Sequence, residues 1–351
     1  MAVSYHLRSL PLPAPTLRTD TTIRKLGGMF MDRLGYALWH KNSVSAPASS
    51  RIAIVTRLAR SVVCAALSAV TFVTPLNAST YAEQTTKCPV GGEKFKYMAL
   101  MSISQWGALP DGMPLGSGRF PTRPPQCPTN GLVMYRDFTS PEILTLTAYV
   151  AGPQYKALRN AGETPYYLAY QTAKALGDPN PYWLLLAATW EAKNDDPTSA
   201  RTRRYNEEFV EAVHTLPIDG TSFDSIALQF RAANALRELG RFPDAEAARA
   251  AIVIAPNAGG AEQGAAENRA GWSKLIEALR APILRRDQSR APIDMLGEQE
   301  VIFRCLAAEA AQKLKQPAPP PLSAFETEYC ARPELSAQLA EQRERLKGVN
   351  Q

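Results

Sequence analysis

The sequence predicts a mostly α-helical protein in which short antiparallel helical hairpins follow a small β-ribbon module, and three observations predict it. From Ser140 onward the chain repeats one start signal, a capping residue followed by proline, in "SPEIL", "TPYYL" and "NPYWL". Proline is tolerated there because the first turn of a helix leaves its N–H groups unpaired in any case. The segments so begun are separated by connections of about 2 to 8 residues, which make successive helices antiparallel neighbours. Before Ser140, two turns of one kind, "CPVGG" at Cys88–Gly92 and "CPTNG" at Cys127–Gly131, each lead into a short strand-like stretch.

The N-terminal part reads as a targeting segment. Nine of the 39 Lys and Arg but only two of the 33 acids fall in residues 1–80, leaving 30 basic groups against 31 acidic ones. The net charge of +6 therefore belongs to the leader, and nucleic-acid binding, which needs a clustered basic field, is not expected. In "RIAIVTRLARSVVCAALSAVTFVTPLNASTYA", Arg57 and Arg60 form a charged flank and Ser61 to Val73 an apolar run. Small residues after Pro75 allow cleavage following Ala78 or Ala82. The apolar run is shorter than the roughly 20 residues a membrane span needs, so no stable transmembrane anchor is expected after processing. The mature protein is expected to be periplasmic or secreted. The organisation read from the sequence is a disordered or mis-assigned leader over 1–50, a signal peptide over 51–82, a small β/loop module over 83–139, a helical domain over 140–316, and a Pro-rich linker with a C-terminal helix over 317–351.

Four cysteines follow the leader: Cys88, Cys127, Cys305 and Cys330. In an oxidising compartment an even set reads as disulfides, with three pairings open. Sequence proximity and the matching turns favour Cys88 with Cys127 and Cys305 with Cys330. Structural zinc generally takes four Cys or His ligands. Gly91 and Asn130 stand where a Cys-x-x-Cys knuckle would place its second thiolates, and His214 is the one imidazole after the leader. A disulfide across the two turns is therefore expected in place of a metal, and no cofactor is expected.

Within the module, "GGEKFKYMALM" alternates Phe95, Tyr97 and Ala99 with Lys94, Lys96 and Met98, as a half-buried strand does. "GLVMYRDF" reads as a second short strand. The glycines and prolines of "SQWGALPDGMPLGSGRFPTRPPQCP" predict a long irregular loop. Trp106 and Phe120 are expected to cover the ribbon; with Arg119 they are also the candidates for a binding loop.

Helices are predicted from Ser140, from Thr164 to Gly177 and from Asn180, and then at about 198–215, 223–239, 243–255, 264–280, 297–315 and 333–347. "SIALQFRAANALRELGRFPDAEAARAAIVIAP" has small residues at Ala233, Ala245 and Ala248, a turn at Gly240, a plug at Phe242 and a stop at Pro256. That is the grammar of one tetratricopeptide hairpin, so a tetratricopeptide-like stack of hairpins is expected. "CPVGGEKFKY", "LPDGMPLGS", "CPTNGLVMYRDF" and "NALRELGRFPDAEAA", spanning roughly 88–260, resemble an uncharacterised bacterial family. In that family a zinc-ribbon-like segment with paired Cys-Pro-x-Cys-Gly turns precedes tetratricopeptide-like helices. The resemblance implies no catalytic activity, and the missing ligands at Gly91 and Asn130 mean that it carries no zinc over.

Function is read from what the chain supplies. One imidazole, closing a charged helix, leaves little for nucleophilic triads or metal hydrolysis. A stacked helical array offers a curved face for extended chains, so the expected function is non-catalytic binding or scaffolding of a protein segment or envelope component. Arg231 and Asn234 on the presumed groove helix, and Tyr166 and Tyr170, are the binding candidates, although the helical spacings of Tyr167 with Tyr170 and of Trp183 with Trp190 suit a packing stripe better. The alternatives are a carboxylate-dependent enzyme acting on envelope glycans, with Asp137, Glu142, Asp195 and Asp196 at hand, and a purely structural protein.

Overall fold

The computed structural model describes residues 79–348. The stretches read as a leader (1–50) and a signal peptide (51–82) lie outside the described residues except for 79–82.

Strands β1 (Thr80–Lys87) and β2 (Lys94–Ser102) form an antiparallel hairpin, with Thr86 opposite Phe95 and Lys87 opposite Lys94. Its turn is "CPVGG": Cys88 N–H donates to the Glu93 carbonyl (2.7 Å) and Gly92 N–H to the Cys88 carbonyl (3.1 Å). The second turn repeats the pattern, Cys127 N–H to the Leu132 carbonyl (2.9 Å) and Gly131 N–H to the Cys127 carbonyl (2.9 Å). Gly91 adopts φ 89°, so a side chain at this position would be strained. Asn130 ties the turns together by donating to the Val90 carbonyl at 2.8 Å. The expected cysteine pairs are both at disulfide distance, 2.09 Å for Cys88–Cys127 and 1.98 Å for Cys305–Cys330.

Three expectations about the module need correction. The partner of β2 is the upstream strand β1, not "GLVMYRDF", because a hairpin across a short turn costs less chain entropy than a long loop. Leu132 and Val133 are instead buried in the core, with one isolated bridge from Val133 to Gln126. β1 also begins at Thr80, before the expected module start at 83. The stretch expected to be irregular holds a second short hairpin, β3 (Gln105–Ala108) with β4 (Pro114–Gly116).

Helices follow as α1 (Ser140–Ala151), α2 (Pro153–Asn160), α3 (Pro165–Leu176), α4 (Tyr182–Asp195), α5 (Ala200–His214), α6 (Phe223–Glu238), α7 (Phe242–Ala250), α8 (Ala265–Ala278) and α9 (Arg280–Leu284). After a 3-10 turn (Ile293–Met295) come α10 (Glu298–Lys313), α11 (Ala324–Cys330) and α12 (Pro333–Gly348). The expected caps shift by one residue at two places: Thr139, not Ser140, caps α1, and Pro181 occupies the cap position of α4. At α3 the Thr164 hydroxyl accepts from Tyr167 N–H (3.4 Å), and Gly177 closes the helix at φ 72°. α7 stops at Ala250, short of the predicted 255. Its tail "AIVIAP" is β-branched, and the chain there pairs with the α5–α6 connection through Ala255 N–H to the Gly220 carbonyl (2.9 Å).

Helices α3 to α7 each pack on their sequence neighbours, and α10 packs on α11 and α12. One hydrophobic core joins Cys88, Cys127, Leu132 and Val133 to Leu146, Tyr155, Leu185, Phe209, Phe230 and Ile283. The core is therefore continuous across 139/140. A second cluster, Ile302 and Leu306 with Leu339, joins α10 to α12 with Cys305 packed against it, so 316/317 falls inside a packed unit.

Candidate functional site

The face of α4 and α6 that the sequence suggested as a groove is already filled, by the chain's own segment Leu109–Pro114. Its turn presents the Asp111 carboxylate to Lys193 on α4 (Oδ2 to Nζ, 2.9 Å), and the same ammonium reaches Glu238 on α6 (2.7 Å). The Trp190 indole donates to the Asp111 carbonyl at 3.2 Å. Asn234 donates to Glu238 (2.8 Å) and accepts from Arg237 Nε (3.0 Å). Gly112, at φ 82°, brings its backbone against the Arg231 guanidinium: a Cβ there would stand 2.3 Å from Arg231 Nε. Arg231 in turn lies over the Trp183 ring, 5.0 Å from its centroid.

This arrangement corrects the groove expectation. Arg231 (3% exposed) and Asn234 (0%) are parts of a buried polar network, and Tyr166 and Tyr170 are buried packing residues. Burial alone would raise the Asp111 carboxyl, but Lys193 and Arg290 outweigh it and hold it below the ordinary carboxylate range. Burial pulls the Lys193 ammonium down, and Asp111 with Glu238 more than restores it.

An open cleft of about 770 Å3 lies beside this network. Its walls are the β1–β2 ribbon, through Tyr81, Tyr97 and Met98, and the segment from Arg119 to Pro125; its floor is Glu191 on α4 with the start of α3. Glu191 accepts the Tyr166 N–H at 2.8 Å, one of the amides left free at the α3 terminus. The Tyr166 hydroxyl fixes the opposite wall by donating to the Thr122 carbonyl at 2.8 Å. Asn194, next to the cleft, holds the Phe120 carbonyl. Burial pushes the Glu191 carboxyl up to about 7, against the Tyr166 and Thr164 hydrogen bonds and the Arg123 charge, with Asp195 adding to the rise.

Of the three cations on the cleft, Lys96 pairs with Glu83 (2.8 Å) and Arg119 with Asp195 (2.6 Å). Arg123 is exposed and has no ion-pair partner among the described residues. Of the residues suggested by the sequence, Arg119 lines the cleft, Phe120 is half-buried against the core, and Trp106 is exposed outside it, not tucked onto the ribbon. Glu142 caps α1 and pairs with Arg136 (2.7 Å), whose hydrogen bond holds its carboxyl down at about 2. Asp196 serves the α5 turn by accepting from Thr198 N–H (2.8 Å). Sequence reasoning missed Glu191 and Lys193; the available signal was two charges inside the otherwise apolar "WLLLAATWEAK".

A second concavity, about 400 Å3, lies where α5 meets α6 and is lined by Trp183, His214, Leu216, Ile218 and Asp224 among others. Among the described residues no three His, Cys, Asp or Glu side chains cluster as a metal site would require. No protein-family model matches the chain, and neither a curated protein nor a solved structure is similar to it.

Proposed function

We propose that this chain is a periplasmic or secreted, non-catalytic binding or scaffolding protein whose tetratricopeptide-like helices frame a cleft for a protein segment or envelope component. The observation that carries the reading is the open cleft between the ribbon and the α3–α4 hairpin, walled by aromatic and proline side chains with a few polar groups on its floor. Neighbour-on-neighbour packing from α3 to α7 and the α6–α7 turn at Gly240 support a stacked-hairpin frame. Two cysteine pairs at disulfide distance suit an oxidising compartment, and among the described residues no helix is long and apolar enough to cross a membrane.

One observation favours a second reading, a carboxylate-dependent enzyme acting on envelope glycans. Glu191, with its carboxyl near 7, and Asp195 stand on successive turns of α4 at one cleft, as an acid and its partner would.

Cell fractionation followed by chemical crosslinking of intact cells and mass spectrometry tests the first reading. It predicts an exported protein with a reproducible partner set that an Arg119→Ala/Arg123→Ala double variant reduces. A cytoplasmic protein, or a partner set unchanged in that variant, contradicts it. Hydrolysis of envelope glycans by the purified protein, abolished by Glu191→Gln, would establish the second reading instead.

A further inference from the structure

We infer that the cleft beside the ribbon recognises a carboxylate-bearing ligand, with Arg123 as the docking cation and the Glu191 carboxyl as a hydrogen-bond donor to it. The inference rests on the cleft being the binding face and adds the chemistry of what it binds.

The cleft's fixed charges set the sign of the ligand. Lys96, Arg119 and Arg123 face it against Asp195, so with Glu191 protonated its lining is net positive. Two of the cations are engaged with carboxylates of the protein itself, Glu83 and Asp195. Arg123 offers a planar fork of N–H donors with no ion-pair partner among the described residues, and such a fork matches a carboxylate in bidentate geometry.

Glu191 supplies the second contact. Its Oε2 already accepts from Tyr166 N–H, and Thr164 supports the same group. Glu191 lines the cleft, and burial pushes its carboxyl up to about 7, so in the protonated form it has an O–H to donate there. A neutral acid beside a ligand carboxylate can donate to it, whereas an ionised one repels it. The groups around Glu191 set how the cleft responds to pH. Arg123, Asp195, Tyr166 and Thr164 act on Glu191 directly, and Arg119 from the loop wall with Lys96, Tyr81 and Tyr97 from the ribbon line the same cleft. As pH rises through about 7 the cleft gains one negative charge facing the ligand, so affinity falls. Tyr81, Tyr97 and the proline wall suit the apolar face of a sugar ring or a short peptide, and either can carry the carboxylate.

Calorimetric titration of the mature protein at pH 6 and pH 8, with glucuronate and N-acetyl-Ala-Ala as probes and their neutral amides as controls, tests the inference. At least one acid is expected to bind, about tenfold or more tighter than its amide, and Arg123→Gln to lose about 10- to 100-fold. Affinity should fall from pH 6 to pH 8, and Glu191→Gln, which keeps a donor and cannot ionise, should bind at both pH values alike. Preference for glucuronate assigns a sugar acid as the source of the carboxylate, and preference for the dipeptide a peptide terminus. Equal binding of acid and amide, no binding of either acid, or an Arg123→Gln variant that binds like wild type overturns the inference. Failure here with a partner set still dependent on the Arg119/Arg123 pair in cells would leave the binding reading standing without the carboxylate; loss of both would remove both.

Discussion

At the scale of single residues, the segment Leu109–Pro114 is held by charges that have no water to fall back on. Removing one member of a buried ion pair leaves its partner uncompensated, at a cost of roughly 3–5 kcal/mol. Lys193→Met removes the cation that Asp111 and Glu238 share and leaves them only the longer ion pairs to Arg290 and Arg237, both at 3.8 Å, so equilibrium urea unfolding should report a loss toward the lower end of that range. A loss below 1 kcal/mol would mean that the network contributes little. Gly112→Ala and Gly177→Ala separate backbone strain from steric conflict. Both positions have positive φ, but an added Cβ meets Arg231 Nε at 2.3 Å in the first case and nothing within 4 Å in the second. The second should cost about 1 kcal/mol from backbone strain alone, and the first distinctly more. Equal losses would show that Arg231 moves aside freely. The two unusual acids act in opposite directions with pH. Asp111, held below its ordinary range, contributes stability that is present above about pH 4 and lost as pH falls further. Glu191, raised from 4.5 to about 7, contributes stability that is complete below pH 4.5 and lost as pH rises through 7. Thermal melts of Glu191→Gln should therefore fall less between pH 5 and pH 8 than those of the wild type, and parallel curves would contradict the assignment.

At the scale of elements, the two cysteine pairs secure different things. Cys88–Cys127 joins two turns whose cysteines are buried in the main core, while Cys305–Cys330 ties α11 to α10 beside a small satellite cluster. The sequence separations are 39 and 25, for which chain entropy gives similar values of about 3–4 kcal/mol. Double Cys→Ser variants should nevertheless differ in what they release. Loss of the first pair should lower the cooperative melting transition of the whole, and loss of the second should raise hydrogen exchange in α11 and α12 alone. Protection lost across α3–α7 in the second variant would contradict this. The helix start at Thr164, the turn at Gly240 and the likeness of the two Cys-Pro turns were legible, because caps, glycine and proline act on a few neighbouring residues. α2 was missed although Gly152 and Pro153 mark its start, and α11 although Ser323 and Glu326 form a capping box. What local grammar does not carry is which distant segment covers a face. Arg231 and Asn234 look like groove residues on the helix pattern, but Leu109–Pro114 returns from more than 100 residues upstream to lie against Arg231, and Asn234 is buried in its network with Arg237 and Glu238. Glu191 sat in a stretch read as packing, since nothing in an apolar helix tells which side opens onto a cleft.

At the scale of the whole molecule, the proposed export makes the start of β1 bear on where a signal peptide would be cut. Ser79 donates to the Ser117 carbonyl at 3.1 Å, and Tyr81 and Ala82 pair with Leu100 and Ala99. Cleavage after Ala78 keeps this strand whole, whereas cleavage after Ala82 removes its first three residues and the Tyr81 wall of the cleft. N-terminal sequencing of the exported protein should therefore read from Ser79, and a start at Glu83 would contradict that choice. Ribbon, loop wall and α3–α4 floor come from segments far apart in sequence and meet at one cleft, the proposed binding face. Site-specific photocrosslinking in the native cell tests this most directly, with the photoreactive residue at Met98 on the ribbon wall or at Ile218, an exposed position on the concavity between α5 and α6. Binding at this cleft should give covalent adducts from Met98 that disappear when Arg123 is changed to Gln, and none from Ile218; adducts from Ile218 alone, or Met98 adducts indifferent to Arg123, would rule it out.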